Sequence, residues 1–204
     1  MYYRYTTPLC AYLFYLNGLR LTRLLYDNCC VSYYFTLVEP KYYQSICEFR
    51  YDFLSSKSEF DGCGNLEEYE DIEKWDLNNK LFEHEDTVPP GYPISYEYLF
   101  VDNGEVVGMI NFRLCIENYI YFKEYGGHIG YSVKPSKRNK GIGTIMLRDF
   151  LPICKEYGLD KIMISCIESN IASRKIIINN GGVFETKVYY PPKHEMLERY
   201  WIKL

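Results

Sequence analysis

The residues whose types and spacing most directly suit chemistry are Lys137-Arg138-Asn139-Lys140-Gly141-Ile142-Gly143-Thr144, between a strand pattern and a helix pattern. Two glycines one residue apart at a helix start let backbone N–H groups approach a ligand closely. The unpaired amides and positive dipole end of that helix favour an anion there. From Lys134 to Lys161 there are seven Lys/Arg against three Asp/Glu, so the charge agrees. A phosphate or pyrophosphate is the natural ligand. The spacing is not that of a P-loop, and a dinucleotide fingerprint would need a third glycine where Met146 stands. A helix start that needs small residues only for packing is the competing reading.

The elements around this loop follow from periodicity. Residues 33–38 read as a short strand ended by Glu39-Pro40, after which Tyr42, Ile46, Phe49 and Phe53 recur at helical spacing. A Gly-rich break at Asp61-Gly-Cys-Gly64 precedes a second helix over 66–81, N-capped by Asn65 with Glu68 three residues on. Strands 96–101 and 106–115 are joined by Asp102-Asn103-Gly104, a hairpin signal, and 128–133 is a third strand of that sheet. Residues 141–157 read as a helix stopped by Gly158, with Pro152 predicting a kink or an early end. A buried strand (161–167), a short helix (171–180) and a closing hairpin (183–190 and 199–203) complete the order β-α-α-β-β-β-α-β-α-β-β. That is a mixed sheet with helices on both faces, of the α/β or α+β class. Residues 1–31 are set apart as an N-terminal extension: a surface helix, a partner-binding arm or a dispensable segment. The domain proper spans 32–204.

Ile129-Gly-Tyr-Ser-Val-Lys-Pro-Ser-Lys-Arg-Asn-Lys-Gly-Ile-Gly143 resembles the acetyl-CoA loop of the GNAT superfamily of N-acetyltransferases. Cys166-Ile-Glu-Ser-Asn-Ile-Ala-Ser-Arg-Lys175, running to Asn180-Gly181-Gly182, resembles its second signature, an Asn after the fifth strand with a small residue three on. Gly126-Gly-His-Ile-Gly-Tyr131 and Arg199-Tyr-Trp-Ile202 resemble a bacterial subgroup of largely unassigned substrate. The resemblance implies a mixed, mostly antiparallel sheet flanked by helices, with acetyl-CoA as co-substrate. It places Arg138, Asn139, Lys140, Gly141, Ile142, Gly143 and Thr144 around the pyrophosphate. Ser132 and Val133 fall at the strand end where pantetheine pairs with free backbone groups, and Asn170 and Ser173 fall beside the pantetheine arm. Arg174 or Lys175 is left to meet the 3′-phosphate or simply to face solvent.

The implied reaction, direct attack of a primary amine on a thioester, makes three demands. An amine with a reference pKa near ~10.4 must lose its proton to a base. The developing oxyanion needs a donor, such as a free strand amide near Val133. The leaving thiolate needs a proton. Many members supply that proton from a tyrosine seven residues after the Asn, but here the position is Ile177. Ser173 is the expected substitute, with capping or packing as its plain alternative. His128, Glu168 and Glu117 are the candidate bases, although strand alternation sets His128 and Val133 on opposite faces unless a bulge intervenes. The second reading is a GNAT fold that binds CoA as a sensor or partner-binding module without turnover, since one fold hosts several functions.

Composition bounds the partners. A net charge of −4 with few Lys/Arg outside the loop argues against nucleic acid, and no apolar run approaches the ~18 residues of a membrane span. The eight cysteines include no Cys-x-x-Cys and lie far from the three histidines, so no metal is expected, and the thiols read as reduced in a cytoplasmic protein. The acceptor is an amine on a small molecule, peptide or protein, and a homodimer is left open. Eleven acids against two lysines over 59–86 suit a cationic amine or a solvated helix face, whereas Arg113 suits a carboxylate-bearing acceptor.

Overall fold

The computed structural model describes residues 11–16, 19–24 and 33–204. Strands β1 (Ala11–Leu16), β2 (Leu19–Leu24), β3 (Tyr33–Leu37), β4 (Ser95–Asp102), β5 (Glu105–Arg113) and β6 (Ile129–Val133) form one antiparallel sheet in chain order. A second sheet holds β7 (Lys161–Ile167), β8 (Val183–Tyr190) and β9 (Glu195–Lys203) in the order β7-β9-β8. Four α-helices pack on them: α1 (Tyr43–Ser56), α2 (Ile72–Lys80), α3 (Ile142–Glu156) and α4 (Ile171–Asn179).

From β3 onward the order is the one expected. Before it stand two strands where a surface helix was among the options: β1 and β2 pair antiparallel, and β2 pairs with the edge of β3. Their Tyr, Phe, Leu and Thr content suits extended backbone.

Alternation along β4 and β5 sorts the core into two layers. Leu99, Val101 and Met109 face α1 and α2, where Phe49, Phe53 and Trp75 are buried. Phe100, Ile110 and Phe112 face the other way, onto Met146, Leu147 and Phe150 of α3. The second helix starts later than expected. Asn65 adopts a left-handed φ of 57° with no side-chain cap, and residues 66–68 form only a 3-10 turn. Asp71 is the true cap, its carboxylate accepting from the N–H groups of Glu73 and Lys74 at 3.0 and 3.3 Å. Nor does Pro152 end α3 early. The helix runs on to Glu156 because buried Phe150, Ile153 and Cys154 hold the turn on either side of it.

The two sheets meet at one point. His128, just before β6, donates its backbone N–H to the Met163 carbonyl at 2.8 Å, and its Nδ1 accepts the Met163 N–H at 2.9 Å. Gly127 makes room for this contact, since a Cβ there would lie 2.6 Å from the Met163 carbonyl oxygen. Beyond the junction β6 and β7 diverge. The imidazole is 1% exposed, and burial lowers its pKa to about 4, so it is neutral. A histidine depressed from 6.5 contributes stability that is complete above the unfolded value and is lost as pH falls through the folded one. Unfolding measured by denaturant is therefore expected to lose about 3 kcal/mol to this group between pH 6.5 and pH 4.

Candidate active site

The cleft lies where β6 and β7 part. Arg113 N–H donates to the His128 carbonyl and Lys134 N–H to Val107, which sets the parity of the β5–β6 ladder. Gly130 and Ser132 therefore bond to β5, while the N–H groups of Tyr131 and Val133 point into the gap. On the other arm Glu168 N–H bonds to Met196, so β7 shares its even-numbered residues with β9 and turns Ser165 and Ile167 toward the gap. Among the described residues no backbone partner takes the N–H of Tyr131 or Val133. These are the pairing groups an extended ligand needs.

At the open end sits the glycine loop. Gly141 caps α3 with φ +77°, and a Cβ there would meet open space. Gly143 serves a different purpose: its Cβ would lie 2.6 Å from Ile176, so the glycine lets α3 and α4 approach. The N–H groups from Asn139 to Gly143 have no backbone partner among the described residues, whereas Thr144 N–H already bonds to the Gly141 carbonyl at 3.1 Å. Five donors at the start of a long helix form an anion cradle. Arg138 supports it from behind. Its Nε donates to the Val133 carbonyl (3.1 Å), Nη1 to Ser58 Oγ (3.0 Å), and its guanidinium lies over the Phe53 ring.

The cleft encloses about 900 Å³. Ser132, Val133, Arg138, Asn139, Gly141, Ile142, Gly143, Thr144, Asn170 and Ser173 all line it; Lys140 does not. Asn170 caps α4, its Oδ1 accepting Ser173 N–H at 3.0 Å. The Ser132 hydroxyl is taken up by Asp61, donating to its carbonyl (2.7 Å) and accepting from its N–H (3.2 Å). Of the two basic residues on α4, Lys175 lines the cleft, while Arg174 is bound to Glu198 and to the Glu168 carbonyl.

The candidate bases are not brought to this cleft. His128 is the neutral splint between the sheets, its Nδ1 occupied by Met163. Glu168 is ion-paired with Lys187 on the far side of β7, and Glu117 is exposed in a 3-10 turn. The carboxylates that do line it are Glu59, Asp61 and Glu195. Glu59 pairs with Lys193, and Glu195 accepts from Ser169. Asp61 has no side-chain partner among the described residues, and desolvation raises its pKa above the ordinary carboxylate value. Its loop is pressed against the sheet at Gly62 (φ +63°), where a Cβ would lie 2.1 Å from the Gly130 carbonyl carbon.

A second residue missed from sequence is Tyr131. Its hydroxyl lies 2.8 Å from Ser173 Oγ, and burial drives its pKa upward. The signal was present in the alternation, which puts Tyr131 on the face of Val133. Ile177 is fully buried in the core. The wall on this side therefore offers the paired hydroxyls of Ser173 and Tyr131 rather than a hydroxyl at 177.

An anion cradle above a pair of parting strands, in a mixed α/β layer structure, is the architecture of an acyltransferase. The chain belongs to the GNAT acetyltransferase family, whose model matches residues 51–177. Its fold is similar to that of a ribosomal L7/L12 alpha-N-protein acetyltransferase solved with coenzyme A (16% identity, TM-score 0.63, covering 84% of this chain and 94% of that one). It also resembles the microcin C7 self-immunity acetyltransferase solved with acetyl-CoA and AMP (14%, 0.58, 84% and 92%). A third is the ribosomal-protein-S5-alanine acetyltransferase of Vibrio fischeri (15%, 0.59, 89% and 96%). No curated protein sequence matches the chain.

Proposed function

We propose that the protein is an acetyl-CoA-dependent N-acetyltransferase in which a primary amine attacks the thioester directly. The observation that carries this reading is the pairing of the Asn139–Gly143 amide cradle with the free Tyr131 and Val133 amides, which together suit a pyrophosphate joined to an extended amide arm. Lys175, on the same wall, suits the 3′-phosphate. The thioester supplies the acyl group: the amine nitrogen bonds to the acetyl carbon as the C–S bond breaks, leaving CoA thiolate.

The chain's own groups do the rest. Asp61 takes the proton of the incoming ammonium, its carboxyl raised above the ordinary carboxylate value by desolvation in the cleft. A free β6 amide donates to the developing oxyanion. Ser173 gives its proton to the sulfur and regains one from the second N–H proton the amine sheds, with the Tyr131 hydroxyl 2.8 Å behind it to hold the serine in place. This hydroxyl pair serves in place of the tyrosine that Ile177 displaces.

Ser173→Ala is expected to lower kcat for acetyl transfer about 10²-fold. Tyr131→Phe should cost less, and the double variant less than the product of the two, because they act on one proton. Steady-state assays of CoA release with an amine panel provide the check. A Ser173→Ala enzyme at the wild-type rate would remove the donor role. Acetyl-CoA binding without transfer to any amine would favour the sensor reading.

A further inference from the structure

Beyond the thioester end, the cleft carries a set of charges that the transfer chemistry alone does not require. Arg113 lines it at the apex side. Its Nη1 donates to the carbonyls of Gly126 (2.9 Å) and Gly127 (3.4 Å), and the Phe122 ring lies 5.2 Å beneath the guanidinium. Gly130 leaves the room it occupies, since a Cβ there would come within 2.9 Å of Nη2. No hydrogen bond to a described residue uses Nη2 or Nε, and no ion pair to a described residue neutralises the guanidinium.

The acid nearest in charge is Glu97, buried behind it and held largely protonated at neutral pH. Asp61 is the other acid that Arg113 senses. The two line the same cleft without forming an ion pair. Glu59 and Lys193 cancel one another, and Glu195 is engaged by Ser169. Asp61, Glu195 and Arg113 thus remain on the acceptor side without an ion-pair partner among the described residues, and of the two acids only Asp61 has no hydrogen-bond donor on its side chain.

The same end is bridged by two cross-links. The Glu59–Lys193 pair ties the loop after α1 to the β8–β9 turn. Tyr121 and Tyr190 meet at 3.0 Å between their hydroxyls, and Tyr125 packs on the Tyr190 ring. These links bridge the cleft walls at that end, a setting that suits a small acceptor.

We propose that the acceptor is a small amino-acid-like zwitterion, its ammonium set against Asp61 and its carboxylate against Arg113, with the tyrosines against its body. This rests on the acetyltransferase reading above and narrows its acceptor. The ammonium loses one proton to Asp61, the nitrogen bonds to the acetyl carbon as the C–S bond breaks, its second proton replaces the one the Ser173–Tyr131 pair gives to the sulfur, and CoA thiol and an N-acetyl product with its carboxylate unchanged are left.

The test uses the full chain, acetyl-CoA and the free L-amino acids. Each amino acid that is acetylated is then compared with its methyl ester and its decarboxylated amine. A short peptide with a free N-terminus serves as the polypeptide acceptor. The expected result is a kcat/KM about 10- to 100-fold higher for the acid than for ester, amine or peptide, the range of a charge-assisted contact. Arg113→Gln should abolish that preference through KM, lowering the acid far more than the ester, and keep the acetyl-CoA shift in melting temperature; Arg113→Lys should restore part of it. Transfer to peptide or simple amine with no preference for the carboxylate overturns the proposal and leaves the acetyltransferase reading standing. An Arg113→Gln loss shared equally by acid and ester also overturns it. If that variant does not fold, the wild-type comparison of acid with ester decides alone. No transfer to any acceptor, with acetyl-CoA bound, defeats both readings.

Discussion

Asp61→Asn is expected to lower the rate of acetyl transfer by about 10²- to 10⁴-fold while leaving the affinity for acetyl-CoA unchanged. The amide is nearly isosteric with the carboxylate but cannot take a proton. The loop itself should stay in place, because it is pinned through main-chain atoms: Ser132 holds the Asp61 carbonyl and N–H, and Gly62 lies flat on Gly130. Wild-type rates should also fall as pH drops through the Asp61 pKa, which partial desolvation in the cleft sets above the usual carboxylate value. In Asp61→Asn that acid limb should vanish. Paired pH–rate profiles make the measurement. A variant with the wild-type rate and the same acid limb would assign the base elsewhere.

Glu97→Gln should stabilise the protein, by an amount that grows with pH. Glu97 is 3% exposed, its Oε2 accepts from Asn111 at 3.1 Å, and its Oε1 has no partner among the described residues. Burial raises its pKa from 4.5 to about 8. A carboxyl raised in the folded state contributes most below its unfolded pKa, and that contribution is lost as pH rises through the folded one. The unfolded chain gains its charge freely over that window while the folded chain resists it. The resulting handicap is about 1 kcal/mol at pH 5 and about 4 kcal/mol at pH 8. Glutamine removes the titration and keeps an acceptor for Asn111. Denaturant unfolding at the two pH values should show a small gain at the lower and a gain of several kcal/mol at the higher. Equal gains at both would mean that Glu97 titrates as an ordinary carboxylate.

How much of this was legible in sequence depends on the range of the forces involved. The anion cradle was readable because Gly141 and Gly143 act locally, through a left-handed φ and a close helix approach. The Asp102-Asn103-Gly104 turn likewise announced the β4–β5 hairpin, whose two faces carry the two core layers. The second helix was misplaced because Asn65 and Asp71 are both sound caps in isolation, and tertiary packing of Leu66 and Trp75 chose between them. For β1 and β2 a local signal did exist: Asn17-Gly18, between them in sequence, is a strong hairpin dipeptide.

The proposed base was illegible for a different reason. Asp61 and Ser132 are 71 residues apart, and only the seating of the Gly62 backbone on Gly130 brings them together. His128 was drawn in by its ordinary pKa, which burial at the sheet junction then took away. The Ser173–Tyr131 contact spans 42 residues across the parted strands, so spacing alone gave Ser173 without its partner.

The central claim is that the Gly141 loop and the parted strands hold acetyl-CoA, and a thermal melt tests it most directly. With acetyl-CoA at about 100 times its Kd, binding should add roughly 2.7 kcal/mol, several degrees for a chain of this size. Gly141→Glu sets a carboxylate in the cradle, at a φ of +77° in otherwise open space. It should fold with a loss of about 1–2 kcal/mol and show no shift. A wild-type chain whose melting temperature ignores acetyl-CoA, or a folded Gly141→Glu chain that responds as wild type does, would contradict the account.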